Sequence, residues 1–172
     1  MNRPRRIRIG GAVLALTLVL AACSAGDEEA TTEHQGDPVP EVSFETFAGD
    51  QISLASYSGT PLVVNFWASW CPSCVAELSA AFRPAQELLG DEVAFLGMNI
   101  QDERERALEL VAETGVLFDL AEDPAGELYT ALGGLGMPFT VFVSADGRVV
   151  EVHNGPLTAD QLVDRINSVL VS

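Results

Sequence analysis

Residues 61–74, Pro61-Leu62-Val63-Val64-Asn65-Phe66-Trp67-Ala68-Ser69-Trp70-Cys71-Pro72-Ser73-Cys74, decide how this chain folds. The first half is a nearly continuous apolar, β-branched run, the pattern of a strand covered on both faces. A helix is predicted from Pro72, since proline at the first helical position leaves no backbone bond unmade. It continues to Leu89 with an apolar face, and Pro84 inside it predicts a kink or an early end. Strand handing over to helix is the repeating step of an α/β sheet. The handover carries Cys71 and Cys74, three residues apart on the first helical turn.

The same alternation extends outward on both sides. Upstream, Val42-Ser43-Phe44 and Gln51-Ile52-Ser53-Leu54 flank Gly49-Asp50 and predict an N-terminal hairpin. Downstream, Val93 to Ile100 predicts a second buried strand, and Glu103 to Glu113 a charged amphipathic helix with Leu108 and Val111 or Ala112 inward. A short strand over Val116 to Leu120 and a short helix over Pro124 to Leu132 follow. Phe139 to Val143 and Arg148 to Val152 flank Ala145-Asp146-Gly147, a hairpin signal. Thr158-Ala159-Asp160-Gln161 is a capping-box pattern that opens a last helix to about Leu170. The order predicts an α/β domain over residues 39–172: a central mixed sheet flanked by helices, with the N-terminal hairpin as an extension.

The first 38 residues are of another kind. Met1 to Arg8 holds four of the nine arginines, and Ile9 to Ala22 has no charged side chain. Fourteen residues at about 1.5 Å rise span about 21 Å, short of the roughly 30 Å hydrocarbon core, so an export signal over 1–22 fits better than a permanent span. The run closes on Leu20-Ala21-Ala22-Cys23, which resembles the bacterial lipobox and predicts lipidation of Cys23. Residues 23–38, polar and acidic, read as a flexible tether containing a solvated His34. The expected location is extracytoplasmic, at the cell membrane through a lipid anchor.

Net charge limits the partners. The 172-residue chain carries 25 acidic residues against nine arginines and no lysine, for −16, and loss of residues 1–22 would bring it to −20. Nucleic acid is excluded as a partner, because phosphate binding needs clustered cations. Charge of this sign is repelled by anionic lipid, so the lipid itself must hold the protein at the membrane.

Cys71-Pro72-Ser73-Cys74 admits several chemistries. Half a zinc site would need further ligands, and Cys23, His34 and His153 do not supply a convincing set, so no metal is assigned. Copper delivery or peptide holding would make the pair a binding module. Disulfide exchange suits it best. The free N–H groups and dipole of the first helical turn stabilise a thiolate at Cys71. Lowering a thiol pKa from about 8.5 to about 7 raises the thiolate fraction at pH 7 from about 3% to about half, and also makes that sulfur a better leaving group.

Asn65 to Cys74 resembles the active-site region of the thioredoxin superfamily and, more narrowly, of the TlpA/ResA-like membrane-anchored thiol-disulfide oxidoreductases. Gly136-Met137-Pro138-Phe139-Thr140 supports the likeness at a distant place. The resemblance covers about residues 39–170 and implies a thioredoxin-like fold. It also implies a cis Pro138 opposite Cys71, with Met137 offering backbone groups to a bound peptide. Cys71 would attack, Cys74 would resolve, and the two would form the redox-active disulfide. Trp67 and Trp70 are expected near the disulfide, with Trp70 and Pro72 shaping the substrate groove. Asn65 stands where thioredoxins carry a buried Asp. Glu77 falls at the acid of the Cys-x-x-Cys-x-x-Glu pattern, on the helical face of Cys74, and would take its proton. The family proline two residues after this acid is replaced by Ser79.

The resemblance further implies a protein-disulfide reductase acting on protein thiols, possible substrates being apocytochrome c or its assembly factors, with a membrane electron donor and no cofactor. A monomer is expected. A disulfide-forming oxidase is the alternative within the same chemistry. Asp102, Glu103, Glu105 and Glu109, interleaved with Arg104 and Arg106, read as a solvated helix face.

Overall fold

The computed structural model describes residues 34–171. Seven strands form one mixed sheet in the order β2-β1-β5-β4-β3-β6-β7. They are β1 (Ser43–Thr46), β2 (Gln51–Ser53), β3 (Leu62–Trp67), β4 (Ala94–Ile100), β5 (Asp119–Asp123), β6 (Phe139–Val143) and β7 (Val149–Asn154). Strands β3, β4 and β5 run parallel; β6 lies antiparallel to β3, and β7 to β6. The N-terminal hairpin joins the sheet through β1, antiparallel to β5. This is a thioredoxin-like α/β fold.

All six residues of the central strand β3 are buried. Side chains alternate across a strand. Leu62, Val64 and Phe66 therefore enter one core with Leu96, Met98, Phe139 and Leu128 of α4 (Glu127–Ala131). Val63 and Trp67 enter the other with both cysteines and residues of α1 (Pro72–Glu77), α2 (Arg83–Leu89), α3 (Arg104–Thr114) and α5 (Ala159–Val169). The capping box of α5 is formed: Gln161 N donates to Thr158 Oγ1 at 3.3 Å, and Thr158 N to Gln161 Oε1 at 3.0 Å.

Between α1 and α2 the chain widens into a π-helical turn, Leu78–Phe82, in which Arg83 N donates to Leu78 O. Pro84 lacks the N–H that a regular helix would use at this point, and the extra residue in the turn accommodates it. The regular α-helix is thus interrupted just before Pro84, where the sequence predicts a kink or an early end.

Three sequence expectations need adjusting. The inward face of α3 is Ala107, Leu110, Val111 and Thr114, while Leu108 is exposed. Val111 faces the core as expected, and Ala107 rather than Leu108 takes the inward position one turn earlier. The predicted strand over 116–120 begins later, at Asp119, and Val116 and Phe118 fill the core from the connecting loop. The last residues assigned to the tether lie on the domain. Gly36 N donates to Val149 O at 2.7 Å, Val149 N to Asp37 O at 2.9 Å, and Val39 N to Gly147 O at 3.0 Å. Pro38 forms a bridge with Arg148, and His34 pairs with Asp37 at 3.6 Å. Hydrogen bonding to a strand edge offsets the polar composition that suggested a tether. The expected signal and Cys23 lie outside the described residues.

Candidate active site

β3 ends at Trp67, and the chain turns through residues 68–70 to start α1 at Pro72. Cys71 occupies the N-cap, with extended backbone, and Cys71 N donates to Ala68 O at 3.1 Å. Cys71 and Cys74 form a disulfide, with Cα atoms 5.3 Å apart. Cys74 N points at Cys71 Sγ, 3.3 Å away, and Ser73 Oγ is 3.4 Å from the same sulfur. These two groups and the helix N-terminus would stabilise negative charge on Cys71 in the reduced state.

The two sulfurs have unequal access. Cys74 is fully buried and Cys71 is 6% exposed, beside exposed Pro72 and Ser73. Trp70 is 57% exposed and fixed by a 3.0 Å bond from its indole N–H to Gln101 O. Met137 and Pro138 precede β6, and Phe139 pairs with Phe66 at the end of β3 from which the cysteines follow, so all reach the same end of the sheet. The Met137–Pro138 peptide is cis. Leu135, in the same loop, is exposed.

Glu77 is 3% exposed, one helical turn beyond Cys74. Its Oε1 accepts from Leu157 N at 2.6 Å and its Oε2 from Asn65 Nδ2 at 3.2 Å. Burial pushes the carboxyl up to about 7, against the opposing pull of these two donors. Asn65 Nδ2 also approaches Thr140 Oγ1 at 3.4 Å, while Asn65 Oδ1 is buried with no hydrogen-bond partner among the described residues. The arrangement places a buried carboxyl, its affinity for a proton raised by burial, one helical turn from the inner cysteine.

One residue goes unnoticed in the sequence and another has a different role from the one expected. Gly97 pairs with Asn65, and a Cβ there would sit 2.7 Å from Leu120, 2.9 Å from Phe118 and 3.1 Å from Trp67 Nε1, so any side chain at this position would crowd the buried core around Trp67. Asp102 is not part of a solvated helix face. It accepts from Ser69 N at 2.5 Å, Ser69 Oγ at 2.7 Å, Asn99 Nδ2 at 2.9 Å and Glu103 N at 2.8 Å. Burial alone would raise its pKa, but these four donors together hold it below the ordinary carboxylate range. Among the described residues no group of three or more His, Cys, Asp or Glu is placed to hold a metal ion.

A Cys-x-x-Cys disulfide at the start of a helix, on the central strand of this sheet, defines a thiol-disulfide oxidoreductase of the thioredoxin superfamily. Comparison with known proteins agrees. The chain belongs to the Redoxin family, whose profile matches residues 34–170. It is 32% identical over 141 residues to the thiol:disulfide interchange protein DsbE of Vibrio cholerae, covering 79% of this chain and 74% of that protein. It is 25% identical over 174 residues to the thiol-disulfide oxidoreductase ResA of Bacillus subtilis, covering 97% and 95%. The solved structure of MTB DsbF in its mixed oxidized and reduced forms matches with a TM-score of 0.69 at 29% identity, over 76% of this chain and 98% of that one.

Proposed function

We propose that the chain works outside the cytoplasm as a protein-disulfide reductase of the cytochrome c maturation type, held at the membrane through a lipidated Cys23. The observation that carries the mechanism is the inequality of the two cysteines: Cys71 faces the exposed Pro72-Ser73 turn, and Cys74 is sealed beside buried Glu77.

In the reduced enzyme the Cys71 thiolate attacks a substrate disulfide. One substrate sulfur leaves as a thiolate and takes a proton from solvent, and Cys71 is left in a mixed disulfide. The Cys74 thiol gives its proton to the Glu77 carboxylate, and the resulting thiolate attacks Cys71 Sγ. The second substrate sulfur leaves and is protonated. Two electrons have passed to the substrate, and the enzyme holds the Cys71–Cys74 disulfide. A thiol donor at the membrane then restores the dithiol. A carboxyl with a pKa near the working pH is suited to the proton transfer. Trp70, Pro72, Met137 and cis Pro138 are the proposed substrate-binding surface, and apocytochrome c or its assembly factors the proposed substrates.

Replacing Cys74 with Ser blocks resolution, so thiol-linked partners should accumulate on Cys71 in membranes of the producing cell. Absence of any trapped partner, with the variant folded and its Cys71 reactive, would overturn the exchange reading. The direction is read from the equilibrium potential against glutathione. Related couples span about −270 to −120 mV, and a value near the upper end would replace the reductase with an oxidase. Replacing Cys23 with Ser should release the protein from the membrane fraction.

A further inference from the structure

The loop that carries Trp70 and leads into Cys71 is bound to the end of the neighbouring strand β4 by an uninterrupted set of contacts. Asn99 reaches from β4 to Trp67 O at 3.5 Å and to Asp102 at 2.9 Å. Asp102 holds Ser69 through both its backbone N–H and its hydroxyl. Gln101, between them, has φ 47°, the left-handed region, and is the one non-glycine residue with positive φ among the described residues. A glutamine in this conformation carries backbone strain that the surroundings must sustain. The strained turn presents its carbonyl to the Trp70 indole N–H at 3.0 Å while the next residue faces Ser69.

None of these groups touches the sulfurs, yet together they fix the one large aromatic side chain that stands exposed beside Cys71. An exposed indole has many orientations open to it, and fixing one before a partner arrives removes that ordering cost from binding. We propose that Asp102 is a positioning residue for protein substrates: by clamping Ser69, and with Gln101 O fixing the indole, it holds Trp70 as a preformed wall against which the substrate segment next to the attacked disulfide packs. This deepens the exchange reading given above and rests on it.

The geometry separates two kinds of substrate. A small disulfide reaches Cys71 without needing the wall, whereas a protein segment uses it. The test is run on the folded chain with glutathione disulfide and with insulin as the two oxidised substrates, dithiothreitol supplying the electrons that return Cys71–Cys74 to the dithiol after each turnover. Replacing Asp102 with Ala should raise KM for insulin about tenfold, the loss expected when one well-packed aromatic contact is no longer preformed, while kcat changes little. Turnover of glutathione disulfide should stay within about twofold, a difference well below 1 kcal/mol. Asp102→Asn keeps one acceptor oxygen and should fall between. In the amide spectrum of the Asp102→Ala protein, the Trp70 indole N–H should exchange with solvent faster than in the parent. An unchanged KM for insulin would overturn the proposal, as would equal losses with both substrates, which would place the effect at Cys71 or in the fold. If Asp102→Ala unfolds, Ser69→Ala, which removes only the 2.7 Å hydroxyl bond, must show the same insulin-selective rise. Failure of the exchange reading is distinguishable, because the parent protein would then reduce neither substrate.

Discussion

The two faces of β3 are built on opposite principles. On one, Leu62, Val64 and Phe66 meet a dry cluster in which Phe66, Tyr129 and Phe139 pack ring against ring at 5.4–5.6 Å. On the other, Val63, Asn65 and Trp67 line the side that holds the disulfide and a buried carboxyl, and Asn65 Oδ1 and Trp67 Nε1 find no hydrogen-bond partner among the described residues. Buried polar groups without partners are costly. One strand thus carries stability on its apolar side and tolerates a penalty on its reactive side, and the residues that alternate along it assign the two tasks.

Substitutions on the two faces should therefore separate. Cys71→Ser has the largest expected effect: insulin reduction should vanish while the folded structure persists, and measurable turnover would place the chemistry elsewhere. Phe66→Ala removes a fully buried ring from the dry face and should cost about 3–5 kcal/mol in urea denaturation, with turnover per folded molecule unchanged. If turnover falls as well, the two faces are not independent.

Protonation provides the next separation. Glu77 has its folded pKa raised from 4.5 to about 7 by burial, so between these values the folded state holds a proton that the unfolded state has released. The stability associated with this group is fully present below about pH 4.5 and declines as pH rises through about 7, by an amount on the order of 3 kcal/mol. Glu77→Gln should flatten this part of the stability profile of the oxidised protein. It should also slow resolution about 100-fold, checked by the lifetime of the mixed disulfide. The smallest effect is expected of Asn65→Ala. It removes one donor that pulls the Glu77 pKa down, so the carboxyl resonance should titrate at higher pH than in the parent, with stability changed by about 1 kcal/mol. A midpoint that moves down would mean that Asn65 raises rather than lowers that pKa.

What was legible in the sequence follows from the range of the forces involved. The buried run of β3, Pro72 at a helix start and the Thr158-Gln161 cap are set by neighbours in sequence, and the alternation of strands and helices marks a mixed sheet, whereas its strand order, with β1 beside β5 and β6 beside β3, rests on contacts between distant segments. Glu77 was visible through its spacing from Cys74, but its contact with Leu157, 80 positions away, was not. Asp102 was misread because acids and arginines alternating before a helix look alike whether they meet water or a loop 33 residues upstream. Gly97 gave no local signal, since its necessity comes from Trp67, Phe118 and Leu120 on other segments. Pro84 marked an irregularity in the helix, but whether the chain would kink, stop or widen into a π turn there was not legible from the proline alone.

The attachment of residues 36–39 to β7 has a practical consequence. β7 is an edge of the sheet, and an uncovered edge is a template for pairing with another chain. Here the first part of that edge is occupied by the protein's own leading segment, which satisfies the outward amide and carbonyl of Val149. A chain shortened to begin at Val39, the boundary suggested by composition, would open those groups to strand exchange and self-association, whereas one begun at His34 would retain the cover. Light scattering on the two truncations checks this: the chain begun at Val39 should self-associate at a concentration at which the one begun at His34 does not.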